Sequence, residues 1–284
     1  MHPLMEDNDF ELHGGPCSFG PSNAARNVLS ASTIEGWLDC SLLRFPFFSL
    51  ALDGKPVAPE ETCSTRIVGG HADAGYVDAV RVRALMERGA TLVLANLHEW
   101  HAPARDLCRA LAELHLAKVG AVAFWTAAAN RGLRVHRDDC HVFVVQLAGR
   151  KRWSLYDVPS ETSAFTPGYA DETKLGAPKV VDLAPGQALF IPEGQAHTAA
   201  ALDEASLHVS FTVREPRLHD VVALAIKACL ASVPEHTALS GERDDREAQA
   251  RAILGRLGRA LGRVDVPALV SSIEKRAIEA RGTF

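Results

Sequence analysis

The sequence predicts a mainly β protein, a sandwich or barrel of short strands with flanking helices and a helical segment at its C-terminal end. Three observations carry that reading. Between 119 and 215 the chain runs through short β-prone stretches separated by turn residues: "VGAVAFWT", "LRVHRDD", "HVFVVQLAGRKRWSLYDV", "KVVDLAPGQALFIPEGQAHTAAAL" and "ASLHVSFTV". On either side of this block, apolar residues recur at helical spacing instead. A length of 284 residues allows one sizeable core and a smaller appendage.

The elements follow in order. Residues 1–32 are rich in Gly, Pro, Ser and Asn without a period, and predict an arm that lies on something else. A domain over 33–215 comes next. Within it, "GYVDAVRVRALMERGA" (75–90) predicts a helix, with Val77, Val80 and Ala84 at helical spacing, Leu85 beside them and Gly89 as the stop. "TLVLANL" (91–97) predicts a strand. "APARDLCRALAELHLAKVG" (102–120) predicts a second helix, with Pro103 near its start, Leu107, Leu111 and Leu114 on one face, and Gly120 at its end. In the β block, Ala148-Gly149 reads as a hairpin turn, and Pro185-Gly186 and Pro192 to Gly194 as further turns.

Residues 216–284 read as helical again. Leu254, Leu257 and Leu261 form an apolar stripe there, and Arg256, Arg259 and Arg263 share another face. Gly255, Gly258 and Gly262 lower helix stability, which predicts close packing against a neighbour.

Composition excludes several function classes. A net charge of −5 with acidic residues interleaved among the arginines gives no electrostatic case for nucleic acid or an anionic membrane. No apolar stretch reaches the roughly 18 to 20 residues of a membrane span, and the acidic N-terminus lacks the layout of a signal peptide. Six cysteines without a C-x-x-C pair argue against a zinc cage or a disulfide framework, so a cytoplasmic chain with reduced thiols is expected.

The chemistry concentrates in "RVHRDDCHVFVVQLAGRKRW" (134–153). Residues i and i+2 of a strand point the same way, so His136 and Asp138 project together and Arg137 opposes them. An imidazole beside a carboxylate supplies two arms of a 2-His-1-carboxylate triad, which leaves positions on a non-haem Fe(II) for a co-substrate and dioxygen. A lone H-x-D is common and carries little by itself. His141, His197 and His208 are the candidates for the third ligand. His141 is out of register with the 136/138 face, and His208 alternates with apolar residues. His197 follows a turn, a short strand and a second turn in "PGQALFIPEGQAH", a layout that delivers a side chain to the mouth of a small barrel. It is the residue chosen.

Lys151 shares its strand face with Trp153 and Leu155, whereas Arg150, Arg152 and Ser154 take the other face. A lysine facing inward requires a partner. Beside a metal, that partner is the far carboxylate of a bound dicarboxylic acid.

"VGAVAFWTAAANRGLRVHRDDCHVFVVQLAGRKRWSLY" resembles the core of the JmjC-type 2-oxoglutarate oxygenases, and within them the cupin-like branch that contains the ribosomal-protein hydroxylases. "ERGATLVLANLHEW" resembles the segment before that core, and "PGQALFIPEGQAH" with "SLHVSFTV" its closing strands. The likeness spans about residues 75–215. It implies a double-stranded β-helix (jelly-roll or cupin) barrel, with His136, Asp138 and His197 as iron ligands and Lys151 pairing the C5 carboxylate of 2-oxoglutarate. It places Ser210, with Thr212 beyond it, where a hydroxyl assists. Where relatives often carry Asn and Tyr, this chain has Val122 and Phe124; Thr126, on the same strand face, could supply a substitute hydroxyl.

The expected function is therefore an Fe(II)- and 2-oxoglutarate-dependent oxygenase, a hydroxylase that consumes dioxygen and releases succinate and CO2. Its substrate would be an amino acid, a peptide or a protein, and residues 216–284 would form a homodimer. Two alternatives stay open: a metal-dependent cupin isomerase or dioxygenase that does not use 2-oxoglutarate, in which Lys151 is dispensable, and a non-catalytic cupin binding module. "HEWH" (98–101) is not the H-E-x-x-H zinc motif and reads as a loop or strand end. "GRLGRALGR" lacks the strand and the Lys-Ser/Thr ending of a phosphate loop.

Overall fold

The computed structural model describes residues 2–6, 12, 14–157, 167–230 and 239–279. In chain order the elements begin with β1 (Cys17–Phe19), α1 (Asn23–Arg26), α2 (Ala31–Cys40), β2 (Phe48–Leu52), β3 (Lys55–Pro56) and α3 (Pro59–Thr62). Then come β4 (Cys63–Val68), β5 (His71–Val77), α4 (Ala79–Glu87), β6 (Thr91–Leu94), α5 (Leu97–Trp100) and α6 (Ala102–His115). The barrel strands are β7 (Lys118–Thr126), β8 (His136–Arg137), β9 (His141–Ala148), β10 (Lys151–Tyr156), β11 (Gly168–Tyr169), β12 (Lys179–Leu183), β13 (Ala188–Ile191), β14 (Ala196–Ala201) and β15 (Ser206–Arg214). Three helices close the chain: α7 (Leu218–Leu230), α8 (Arg243–Leu261) and α9 (Val266–Glu279).

Two sheets form a jelly roll. The larger has the order β1-β13-β9-β15-β7-β6-β2-β3 and the smaller β11-β8-β14-β10-β12, with β4 and β5 as a separate ribbon. The inner faces share one core, to which β9 gives Val142 and Val144, β10 gives Trp153 and Leu155, and β12 and β13 give Leu183, Leu189 and Ile191. Burying such side chains contributes about 1.5–3 kcal/mol each.

The expected hairpin at Ala148-Gly149 is not one. β9 pairs with β13 and β15 in the larger sheet, whereas β10 pairs with β12 and β14 in the smaller. The turn therefore carries the chain from one sheet to the other. Every residue from His141 to Gln146 is buried, so β9 needs a strand on each edge, and long-range partners supply both. Gly149 is required at the crossing. Its φ is +61°, and a Cβ there would lie 2.1 Å from Ala205 O. The turns at Pro185-Gly186 and Pro192 to Gly194 likewise connect strands of different sheets.

The arm joins the barrel. β1 pairs antiparallel with β13 at the sheet edge, and Leu4, Met5, Ala25, Val28 and Leu29 are buried. The helix expected over 75–90 starts only at Ala79, where the Asp78 side chain caps it by accepting from Arg81 N. Val77 ends a strand, Val82 and Leu85 face inward, and Val80 is 78% exposed. On α6 the buried arc comprises Ala104, Leu107, Cys108, Leu111 and Ala112, whereas Leu114, expected on the same face, is 49% exposed. "HEWH" adopts a single helical turn, α5, where a loop or strand end was expected. His98 Nδ1 there accepts from Ala121 N at 3.1 Å, and His101 Nε2 bonds Val28 O at 2.7 Å.

Two compact units divide at Arg214/Glu215; the first holds the barrel and the second is essentially residues 215–280. The second has its own small core of Ala225, Leu269 and Ile273, with Val221, Leu224 and Val264 against it. Among the described residues nothing packs closely on the α8 glycines Gly255 and Gly258. A Cβ at Gly258 would meet nothing within 4 Å, and one at Gly255 only the Arg259 guanidinium. Leu254 and Leu261 are exposed.

Candidate metal centre

The smaller sheet brings the site together. β14 lies beside β8 with His197 directly opposite His136, so two residues 61 positions apart become a cross-strand pair. Their ring centroids are 4.3 Å apart. β8 is only two residues long, and Asp138 lies just past its end. The Asp138 backbone is fixed there: its carbonyl accepts from Gly194 N at 2.9 Å, and Arg137 Nη1 donates to Gly194 O at 2.7 Å. The turn before β14 is thereby tied to the loop that carries the carboxylate.

Asp138 Oδ1 lies 3.7 Å from His136 Nε2, and Asp138 Oδ2 lies 3.6 Å from His197 Nε2. Among the described residues this is the group of ligand-type side chains that converges, with one donor atom from each within 4.8 Å of the others. Each imidazole is oriented by the carbonyl two residues before it. His136 Nδ1 lies 2.9 Å from Arg134 O, and His197 Nδ1 lies 2.9 Å from Gln195 O. A carbonyl can only accept, so Nδ1 carries the proton and both Nε2 lone pairs turn toward Asp138. Burial, and then the neighbouring His136, push the His197 pKa down to about 4, so its ring is neutral at physiological pH. Two imidazoles and a carboxylate around one point fit a divalent transition metal, with open positions left over.

The triad opens into a cavity of about 360 Å³, which Lys151, Thr126, Ser210, Thr212 and His208 also line. Lys151 is 1% exposed. Its Nζ donates to Thr126 Oγ1 at 2.9 Å and lies 3.1 Å from His208 Nδ1. No carboxylate among the described residues is within ion-pairing distance of it. Burial without a counter-charge pulls its pKa from 10.5 to about 7. Thr126 also accepts from Thr91 Oγ1 at 3.2 Å. Ser210 is buried beside the cavity, whereas the Thr212 hydroxyl donates to Gly120 O at 3.3 Å. Val122 and Phe124 form apolar wall. His141 is remote from the triad face, and its ring stacks on Phe190 at 5.7 Å.

Sequence reasoning passed over His208 and Arg214. The signal was present: in "SLHVSFTVR", His208, Ser210, Thr212 and Arg214 stand at alternate positions, and all four line the cavity. Arg214 pairs with Asp139 there.

The family model described as the JmjC domain matches residues 96–221. That is a similarity of 126 of the 284 residues to the JmjC domain. The match begins in α5, takes in β7 to β15 and so contains every residue of the triad and its cavity, apart from Thr91. The chain is 32% identical over 136 residues to the bifunctional lysine-specific demethylase and histidyl-hydroxylase NO66 of Drosophila sechellia, covering 46% of this chain and 21% of that protein. It is 33% identical over 133 residues to the Drosophila persimilis protein of the same description, covering 46% and 19%. The chain thus spans about a fifth of the length of the curated relatives it matches. Among solved structures, that of E. coli ycfD shares the fold at a TM-score of 0.57 and 17% identity, over 93% of this chain and 68% of that one. The E. coli ribosomal oxygenase YcfD in complex with cobalt and 2-oxoglutarate gives 0.55 and 17%, over 93% and 67%.

Proposed function

We propose that this chain is an Fe(II)- and 2-oxoglutarate-dependent oxygenase that hydroxylates an unactivated carbon. The observation that carries the proposal is one cavity with a facial donor triad at one place and, at another, a buried Lys151 without a counter-ion among the described residues. A metal alone would not call for Lys151. A 2-oxo dicarboxylate calls for both, because one end chelates and the other carries a charge. The cobalt and 2-oxoglutarate complex of the fold relative adds support.

When bound, Fe(II), 2-oxoglutarate and dioxygen supply the oxidising chemistry, which releases succinate and CO2 and inserts one oxygen atom into a substrate C–H bond. The chain's residues do the rest. His136, Asp138 and His197 hold the metal, and the carbonyls of Arg134 and Gln195 keep both imidazoles turned toward it. Lys151 binds the distal carboxylate in charge-assisted fashion, with Thr126 steadying its Nζ. Val122, Phe124, Val142 and Trp153 surround the cavity with apolar surface and exclude water.

The substrate is a side chain of a protein or peptide, or an amino acid. The histidyl-hydroxylase and demethylase descriptions of the curated relatives favour a protein. The second unit is the dimerisation element, giving a homodimer: Leu218, Val222, Ile226 and Leu230 on α7 are exposed although apolar. A stable monomer by sedimentation at micromolar concentration would overturn that assignment. Six cysteines outside any disulfide suit a cytoplasmic, reducing setting, and no described helix is long and apolar enough to cross a membrane.

Anaerobic addition of Fe(II) and then 2-oxoglutarate to metal-free protein tests the reaction class. The expected result is the visible charge-transfer absorbance of a chelated 2-oxo acid, lost in His197→Ala. Stoichiometric iron binding with no absorbance would favour a cupin enzyme that does not use 2-oxoglutarate.

A further inference from the structure

The inference concerns Arg137 and rests on the reading above, in which His136, Asp138 and His197 hold a metal. Two neighbouring strand segments carry those ligands, yet β8 and β14 share a single residue pair, His136 with His197. One pair fixes a distance and leaves a hinge, about which either segment can swing. On one side of the pair the swing is stopped by Gly132 N, which donates to Ala199 O at 2.9 Å. Thr198 Oγ1 helps there by donating to Leu133 O at 2.8 Å. On the other side lies Asp138, beyond the end of β8.

The ties that engage Arg137 and Asp138 on that side both end on Gly194. Gly194 N donates to Asp138 O at 2.9 Å, and Gly194 O accepts from Arg137 Nη1 at 2.7 Å. Gly194 is buried and has a φ of +77°. Glycine reaches many other conformations as readily, so its own backbone does little to hold this one. The peptide that bears Gly194 O gives its N–H, that of Gln195, to Pro192 O at 3.2 Å, and Arg137 holds its carbonyl end. That bond is charge-assisted and meets a buried acceptor. The next carbonyl along, Gln195 O, is the one that orients His197 Nδ1 at 2.9 Å. Arg137 thus stands next to one ligand in the chain and grips the turn that aims another. It does not line the cavity.

We propose that Arg137 is a positioning residue for the metal centre: by gripping Gly194 O it holds the Asp138 carboxylate and the His197 imidazole at the separation the metal needs. It touches neither metal nor co-substrate. The sign of its effect separates this role from a simple effect of charge. A cation near the centre repels a divalent metal, so losing the guanidinium charge alone would tighten metal binding. Losing the grip weakens it.

The test is anaerobic calorimetry of the metal-free full chain titrated with Co(II), with the visible absorption of the Co(II) protein read on the same samples. Arg137→Met keeps the stem and removes the donor, and Arg137→Lys restores a charged donor. The Met variant should bind Co(II) about tenfold or more weakly than wild type, as loss of an outer partner does. Its Co(II) absorption bands should shift, because a ligand is displaced. The Lys variant should recover most of the affinity and the wild-type bands. Thermal unfolding of the metal-free variants supplies the comparison. A Met variant that unfolds earlier yet keeps wild-type affinity and bands shows a merely structural role and overturns the proposal. Tighter binding by the Met variant overturns it in favour of the charge effect, and a Lys variant no better than Met overturns the grip on Gly194 O. If Arg137→Met fails to fold, Arg137→Gln, whose amide nitrogen stands two bonds short of the guanidinium Nη atoms, is read in its place. Wild-type protein that takes up no Co(II) overturns the metal-centre reading itself.

Discussion

Replacing Lys151 by methionine should strengthen the empty fold while removing its affinity for 2-oxoglutarate. Methionine fills a similar volume and carries no charge. The Lys151 pKa falls from 10.5 to about 7 on burial, and each unit is worth about 1.4 kcal/mol. Charging this lysine thus costs the native state about 4–5 kcal/mol below pH 7. The sign follows from proton counts. Between pH 7 and 10.5 the unfolded chain binds the proton and the native chain does not, so wild-type stability rises with pH through that window. Against the relief stand the hydrogen bonds to Thr126 and His208, about 1 kcal/mol each. Lys151→Met should therefore be about 2–3 kcal/mol more stable than wild type at pH 6.5, with the advantage gone by about pH 10. Urea denaturation at the two pH values measures this. On the same samples, calorimetry should show 2-oxoglutarate binding weakened about 100-fold or more, the loss of a buried charge partner. A variant less stable than wild type at pH 6.5 would refute the burial argument, and retained affinity would refute the role of Lys151.

Three further outcomes are expected. His197→Ala should lose divalent-metal affinity by more than the ~10–100-fold that removal of an outer partner costs, read by metal titration, because His136 and Asp138 alone cannot complete the triad. Gly149→Ala should destabilise the protein by at least about 2 kcal/mol in a denaturation series, since it combines a φ of +61° with a Cβ 2.1 Å from a backbone oxygen. Gln146→Leu should cost about 2–3 kcal/mol in the same assay. The Gln146 side-chain amide Nε2 shares its two hydrogens among Ala148 O, Gly149 O and Ser206 Oγ, and leucine leaves the buried Gly149 and Ser206 acceptors without this donor.

Much of the site was legible because local rules govern it. A period of two sets His136 beside Asp138, and the same period turns Lys151 inward with Trp153 and Leu155. His197 could be singled out by the turn chemistry ahead of it. The glycines of α8 were misleading, because propensity says what a residue costs a helix and not what packs on it. Val80 faced the wrong way because the helix begins at its Asp78 cap, one residue after the strand that Val77 ends.

The sequence by itself determined which residue types could hold a metal and a dicarboxylate, and on which strand face each would sit, since strand periodicity and turn preference act within a few residues. Only the tertiary structure decided that Ala148-Gly149 crosses between sheets, that His197 stands opposite His136, and that His208 meets Lys151 at 3.1 Å. Those pairings join residues about 60 positions apart, and they are chosen by burial of both faces of β9 and of the inner face of β10. That is a property of the whole core, which no local window contains.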